Sequence, residues 1–388
     1  MRIGIDGRYI QDKYLGVGRY VYQVALELAH QNLAHHLVVF YNPSCANTRF
    51  NLDTLGTRSN VTLVKTSLRP LWPQEQLVWP LLLQQHKIEL FHAPHFVAPL
   101  LALCPVVLTV HDLIFERYPA YIPQRGLGLY HRMLMRKSLQ KAAHVIVVSE
   151  ATRRDLCHSY PVDPRKISVT PEAAASSFQP VSEEQAQAIR SRYNLPRRFV
   201  LALGDQRPHK NLATLLKAFA QAAPHTDADL VLAGKTDIRY YDNVAPLIHP
   251  LDLNARVSQP GYIAEADLPA LYTLADVVIC PSLVEGFGLS LLEAMACGAA
   301  VIASHASSLP EVVGNAGVLV RPRDVQALAN AILSILKNSA YRQKLQSRSL
   351  AQAARFSWRS TANLTSRIYH AIADSRRPVV GVPHSAIV

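Results

Sequence analysis

Short apolar runs alternate with amphipathic stretches along almost the whole chain. Val277 to Cys280 has the length and β-branched content of a buried strand, and Pro281 ends it. A loop carrying Glu285, Gly286 and Gly288 follows. Leu289, Leu292 and Ala296 then recur at helical spacing up to Gly298. Val301 to Ala303 is a second apolar run, so this segment reads as a βαβ unit. The same rhythm predicts strands at 2–6, 38–41, 61–63, 88–92, 106–111 and 145–149, then at 199–203, 229–233, 256–258 and 317–320. Helices are expected from Gly16, with the stripe Val17, Val21, Val24 and Leu28, and at 73–85, 127–142, 211–222, 268–274, 324–337 and 358–373. Strands alternating with helices predict parallel sheets covered on both faces.

Residues 160–197 are richer in proline and polar residues, which puts a domain boundary there. The expected division is a first domain at 1–172, a linker at 173–194, a second domain at 195–359 and a disordered tail at 375–388. A chain of 388 residues suffices for two such domains at about 150 residues each. With 49% hydrophobic and 18% charged residues it is globular. No apolar run of about 18 residues occurs, so no spanning helix is expected. The N-terminus enters a strand pattern without a signal-peptide layout. The five cysteines, none in a CxxC, argue against a disulfide framework or a zinc centre and fit a reducing cytosol.

The net charge of +12 points to an anionic partner: a nucleotide, an anionic membrane surface or nucleic acid. No nucleic-acid-binding module is recognisable, which sets the last aside. Arg125, Arg132, Arg136, Lys137 and Lys141 fall in one helical segment. Their stems could cover core edges, or they could meet anionic lipid.

Glu285 lies at a strand's carboxyl end, where open α/β sheets bind ligands, and Glu293 lies on the following helix. A helix start offers unpaired N–H groups to an anion, and Gly286 and Gly288 let that backbone approach closely. Two carboxylates around such a start suit a nucleotide sugar; the plain alternative is that both are solvated. His111-Asp112 closes a buried strand. Gly204-Asp-Gln-Arg-Pro-His-Lys-Asn211 places Arg207 and Lys210 between a strand and a helix, a good position for phosphate.

Several look-alikes fail. Gly16-Val-Gly18 comes nine residues after the first strand, Val21 replaces the third glycine, and no acid ends the second strand, so NAD is not expected. Gly234-Lys-Thr236 resembles a P-loop end, but Asp229 stands where the first glycine belongs. Asp227-Ala-Asp229 precedes a strand, unlike a metal-holding DxD. His92 and His95 lack an acidic or cysteine partner nearby, so zinc is not expected.

The phrase Glu285-Gly-Phe-Gly-Leu-Ser-Leu-Leu-Glu293-Ala-Met-Ala-Cys-Gly298 resembles the E-x7-E signature of the retaining GT-B glycosyltransferases of family 4. The order of Gly-rich loop, His-Asp, Ser149-Glu-Ala-Thr152, Pro-His-Lys-Asn, Gly261-Tyr-Ile263 and E-x7-E fits along nearly the whole chain. The resemblance implies an α/β fold of two doubly wound Rossmann-like domains facing across a cleft. Its last helix, about 360–373, crosses back to the first domain. It implies a retaining hexosyltransferase with no cofactor and no metal. The donor is a nucleotide diphosphate sugar, GDP-mannose first, and the acceptor is a glycan or lipid-linked molecule on the first domain. The expected location is the cytoplasm, with peripheral contact to an anionic membrane as the functional reading of the basic helix.

The catalytic set it implies is His111, Lys210 and Glu285. The donor-binding set is Gly16, Gly18, Arg207, Lys210, Tyr262, Glu285, Phe287, Gly288, Leu289 and Glu293. In the family, His111 faces the donor sugar, Lys210 the diphosphate and Glu293 the ribose, while backbone near Tyr262 meets the nucleobase. Glu285 and the Phe287-Gly288 backbone hold sugar and phosphate. Arg207 would replace an arginine that many members carry where this chain has Asp205. Glu311 is expected to cap or pair. Thr170-Pro-Glu-Ala-Ala174 departs from the Pro-Asn-Gly of many members, which implies a different hinge. With no clear base, same-face attack is expected. An epimerase or hydrolase on the same fold is the alternative.

Overall fold

A computed structural model describes residues 1–31, 35–119, 127–234 and 244–375. Arg125, Lys235-Thr236 and the expected disordered tail beyond Ser375 lie outside the described residues. The first sheet holds seven parallel strands: β1 (Arg2–Asp6), β2 (His36–Tyr41), β3 (Val61–Lys65), β4 (Leu90–Ala93), β5 (Val106–Val110), β6 (His144–Val147) and β7 (Ile167–Val169). The second holds six: β8 (Phe199–Leu203), β9 (Asp229–Ala233), β10 (Val257–Gly261), β11 (Val277–Cys280), β12 (Val301–Ser304) and β13 (Val318–Val320). Their orders are β3-β2-β1-β4-β5-β6-β7 and β10-β9-β8-β11-β12-β13. Each is a doubly wound α/β sheet, and together they make a GT-B fold. The apolar runs arise because central parallel strands are buried on both faces; all of Val106–Val110 is buried.

The order reverses between β1 and β4 in one sheet and between β8 and β11 in the other. There consecutive chain exits diverge to opposite faces and leave a crevice at the strands' carboxyl ends.

Three helices carry too few apolar positions to show in the pattern. Glu150–Ser159, Glu183–Arg192 and Ser339–Ala353 are capped by Ser149, Ser182 and Asn338. The second lies inside the stretch expected to be a linker. It packs on the helix Leu268–Leu274, and Arg192 and Tyr193 bind Asp267 at 2.9 and 2.7 Å.

The closing helix Trp358–Asp374 returns to pack against the first helix, Leu15–His30. Its Tyr369 hydroxyl meets His92 Nδ1 at 2.6 Å, and His92 Nε2 meets Thr109 Oγ1 at 2.7 Å. Burial and then the neighbouring His111 pull His92 down to about 3, so it is a neutral strut. Tyr369→Phe strands a buried ring nitrogen and is expected to cost about 1–3 kcal/mol. Thermal unfolding measures this; an unchanged midpoint would show that the bond contributes nothing.

Candidate active site

The second sheet's crevice is lined by Gly204, Asp205, Lys210, Cys280, Ser282 and Glu285, among others. It lies between the exits of β8 and β11. The two exits are tied together: Leu283 N donates to His209 O at 2.7 Å, and Asn211 Nδ2 donates to Pro281 O at 3.0 Å. Lys210 Nζ donates to Glu285 Oε1 at 2.7 Å, and Ser282 Oγ donates to the same oxygen at 2.7 Å. Burial pushes the Glu285 carboxyl up, but the Lys210 ammonium and these hydrogen bonds outweigh it and hold it below its ordinary value. Burial opposes the ammonium of Lys210 too, yet Glu285 holds it above the usual lysine value. The crevice therefore keeps a fixed cation with its counter-charge.

Gly288 has φ 100° and opens the helix Leu289–Ala296. Ser308 Oγ donates to Phe287 O at 2.8 Å, and Ser307 Oγ donates to Glu285 O at 2.6 Å. The helix is buried more fully than its stripe predicts. Leu291, Ala294 and Met295 are buried, while Leu289 and Ala296 are only half so. Ser339–Ala353, invisible in the periodicity, covers its second side.

The loop before that helix rests on the first domain. A Cβ on Gly286 would sit 2.3 Å from His111 O. Gly286 O accepts Ser149 Oγ at 2.7 Å. Glu311 accepts the N–H groups of Glu150 and Ala151 at 2.9 and 2.8 Å, so it caps a helix of the other domain.

Glu293 is buried and forms an ion pair with Arg19, which follows Gly18 directly. Arg19 also binds Glu265 at 2.7 Å and lies 5.0 Å over the Phe178 ring. Arg49 pairs with Glu265 as well. The acid expected to meet ribose is thus engaged by an arginine from the opposite domain. Sequence reasoning missed Arg19; its place beside the two glycines was the available signal.

His111 faces the first sheet's crevice, which Val17, His95, Phe96, Asp112, Phe115 and His131 also line. Burial pushes the Asp112 carboxyl up. Gly18 has a packing reason, since its Cβ would meet Tyr9 O at 2.7 Å, whereas Gly16 is exposed. Phe287 is buried edge-on to Phe356. Arg207 pairs with Asp205 at 3.0 Å and does not line the second crevice; nor does the exposed Tyr262. Asp227 and Asp229 bind different arginines, Arg198 and Arg256. Gly286→Ala should wedge the domains apart. Small-angle scattering should show an enlarged particle, and an unchanged profile would refute the tight seam.

The family description Glycosyltransferase Family 4 matches residues 14–178, and Glycosyl transferases group 1 matches residues 184–352. The Escherichia coli O-antigen chain mannosyltransferase B is 31% identical over 372 residues, 91% of this chain and 95% of that one. The Escherichia coli serotype-specific mannosyltransferase WbdA is 31% identical over 267 residues, 66% of this chain and 32% of that one. Among solved structures, sucrose-phosphate synthase from Thermosynechococcus elongatus superposes with a TM-score of 0.78 at 22% identity, covering 97% of this chain and 100% of that one. Anabaena HepE in complex with UDP and glucose gives 0.74 at 20% identity, covering 96% and 100%. With both of its sheets, the seam between them and its E-x7-E helix accounted for, this chain belongs to the group 1, family 4 glycosyltransferases and is a glycosyltransferase enzyme.

Proposed function

We propose that the enzyme transfers mannose from GDP-mannose, with retention and without a metal, to a glycan or lipid-linked acceptor of surface polysaccharide synthesis. The observation that carries this is the Lys210–Glu285 pair at the second sheet's switch point, beside a glycine-opened helix start. The mannosyltransferases among the relatives support the sugar. The diphosphate would replace Glu285 as the partner of Lys210, and the ammonium and the helix N–H groups would stabilise charge growing on the leaving oxygen. As the C–O bond to the diphosphate breaks, the acceptor oxygen bonds to the anomeric carbon on the same face. The leaving phosphate oxygen takes the acceptor's proton.

The acceptor would occupy the first sheet's crevice. The rings of His95 and Phe96 lie 4.2 Å apart, and those of Phe96 and His131 4.1 Å apart, a surface for the apolar face of a sugar. Asp112 would take its hydroxyls. Closure over both would exclude water.

A peripheral, cytoplasmic position at an anionic membrane also belongs to this reading. The helix Leu127–Lys141 exposes Leu129, Tyr130 and Met133 beside Arg132, Arg136 and Lys137. Lys141 Nζ of the same helix binds Ala102 O at 2.7 Å, between the exposed Leu101 and Leu103. No helix among the described residues is long and apolar enough to cross a membrane.

Lys210→Ala should lower kcat by about 10²–10³-fold; near-normal turnover would remove the phosphate role. In a thermal-shift panel GDP-mannose should stabilise the protein most, the product anomer should match the donor by NMR, and EDTA should leave the rate unchanged. Free mannose or an isomerised donor would point instead to a hydrolase or epimerase. Leu129→Asp with Met133→Asp should abolish flotation with anionic vesicles; a wild-type protein that does not float sinks the membrane position.

A further inference from the structure

His111 is gripped from both sides. Its Nδ1 lies 3.2 Å from Glu172 Oε1, and its Nε2 lies 3.0 Å from Pro94 O. Tyr20 packs edge-on against the ring at 4.8 Å between centroids. A carboxylate and a carbonyl only accept hydrogen bonds, so both contacts are satisfied when the ring donates from both nitrogens. In that state it has no lone pair with which to act as a base.

Glu172 is itself buried, and it is not part of either crevice wall described above. It sits three residues beyond β7, on the segment that leaves the first sheet for the second. The adjacent Pro171 O accepts a hydrogen bond from Thr361 of the closing helix. The acid that holds the cleft histidine is therefore carried by the crossover between domains. The backbone oxygen of that same histidine supports the Gly286 loop of the second domain.

We propose that Glu172 is a positioning residue. Its carboxylate fixes the His111 ring as a double donor and ties the ring's orientation to the interdomain crossover. When substrate enters, Nε2–H exchanges Pro94 O for a substrate oxygen, while Glu172 keeps Nδ1–H and so keeps the ring's charge and plane.

The kinetic arm of the test rests on the glycosyltransferase reading; the spectroscopic arm does not. Glu172→Gln preserves shape and removes charge. It should lower kcat by about tenfold or more while donor KM stays within about twofold. Glu172→Asp should recover part of the loss. In a His111→Ala background Glu172→Gln should cost nothing further, because the acid acts through the ring. Ring nitrogen-15 spectra should show both His111 nitrogens protonated in the wild type and one of them deprotonated in Glu172→Gln. Equal kcat losses in both backgrounds would overturn the proposal, because Glu172 would then act on the hinge alone. So would unchanged ring signals. If the wild type transfers no sugar, the functional reading fails and the spectra alone decide the positioning role. Should Glu172→Gln fail to fold, the wild-type spectra decide by themselves, and a His111 ring with only one protonated nitrogen overturns the proposal.

Discussion

Backbone contact between Gly286 and His111 O is the constraint on which the cleft depends. A side chain at residue 286 would place a carbon 2.3 Å from that oxygen. Only a glycine lets the loop after β11 lie on the end of β5. Ser149 holds the loop there through Gly286 O, and Glu311 answers from the second domain by capping the helix that Ser149 begins. These bonds use groups that helix ends and strand ends leave unpaired, so the seam satisfies polar atoms that it also buries. Loops from two sheets are thereby set against each other, and their crevices open onto one cleft.

Charge inside that cleft is arranged in buried pairs. Lys210 with Glu285, and Arg19 with Glu293, are each largely buried. Removing one partner from such a pair is costly, because the other charge is left without compensation. Each pair is backed by a further polar partner: Ser282 Oγ also donates to Glu285, and Arg19 also binds Glu265. The Arg19–Glu293 bridge also spans the domains, so it links the acid of the second domain to the Gly-rich start of the first helix. The structure thus adds an interdomain role to a glutamate whose spacing alone suggests only ligand contact.

What could be read in advance followed burial. Central parallel strands, covered on both faces, are nearly unbroken apolar runs, and these were legible together with the helices that follow them. The short edge strand β7 and the polar helix Glu183–Arg192 were not. Neither buries enough apolar surface to leave a period, and the helix has only Ala186 and Ile189 buried. The helix Leu289–Ala296 was placed correctly but its exposure was misjudged, because its second cover, Ser339–Ala353, is itself mostly polar. Glu311 was recognised as a cap or partner; that its partner belongs to the other domain was not.

By itself the sequence determined the two alternating α/β halves, the loops at their strand ends and the chemical types available there: a lysine, a histidine and two spaced acids. Local spacing suffices for this, since strand ends and helix starts are set by neighbours in the chain. Tertiary structure alone decided which of these meet. Arg19 reaches Glu293 across 274 positions of sequence, and Glu172 reaches His111 across 61. Such pairings depend on how two sheets dock, and docking is set by a glycine contact and by buried charges whose partners no local pattern can name.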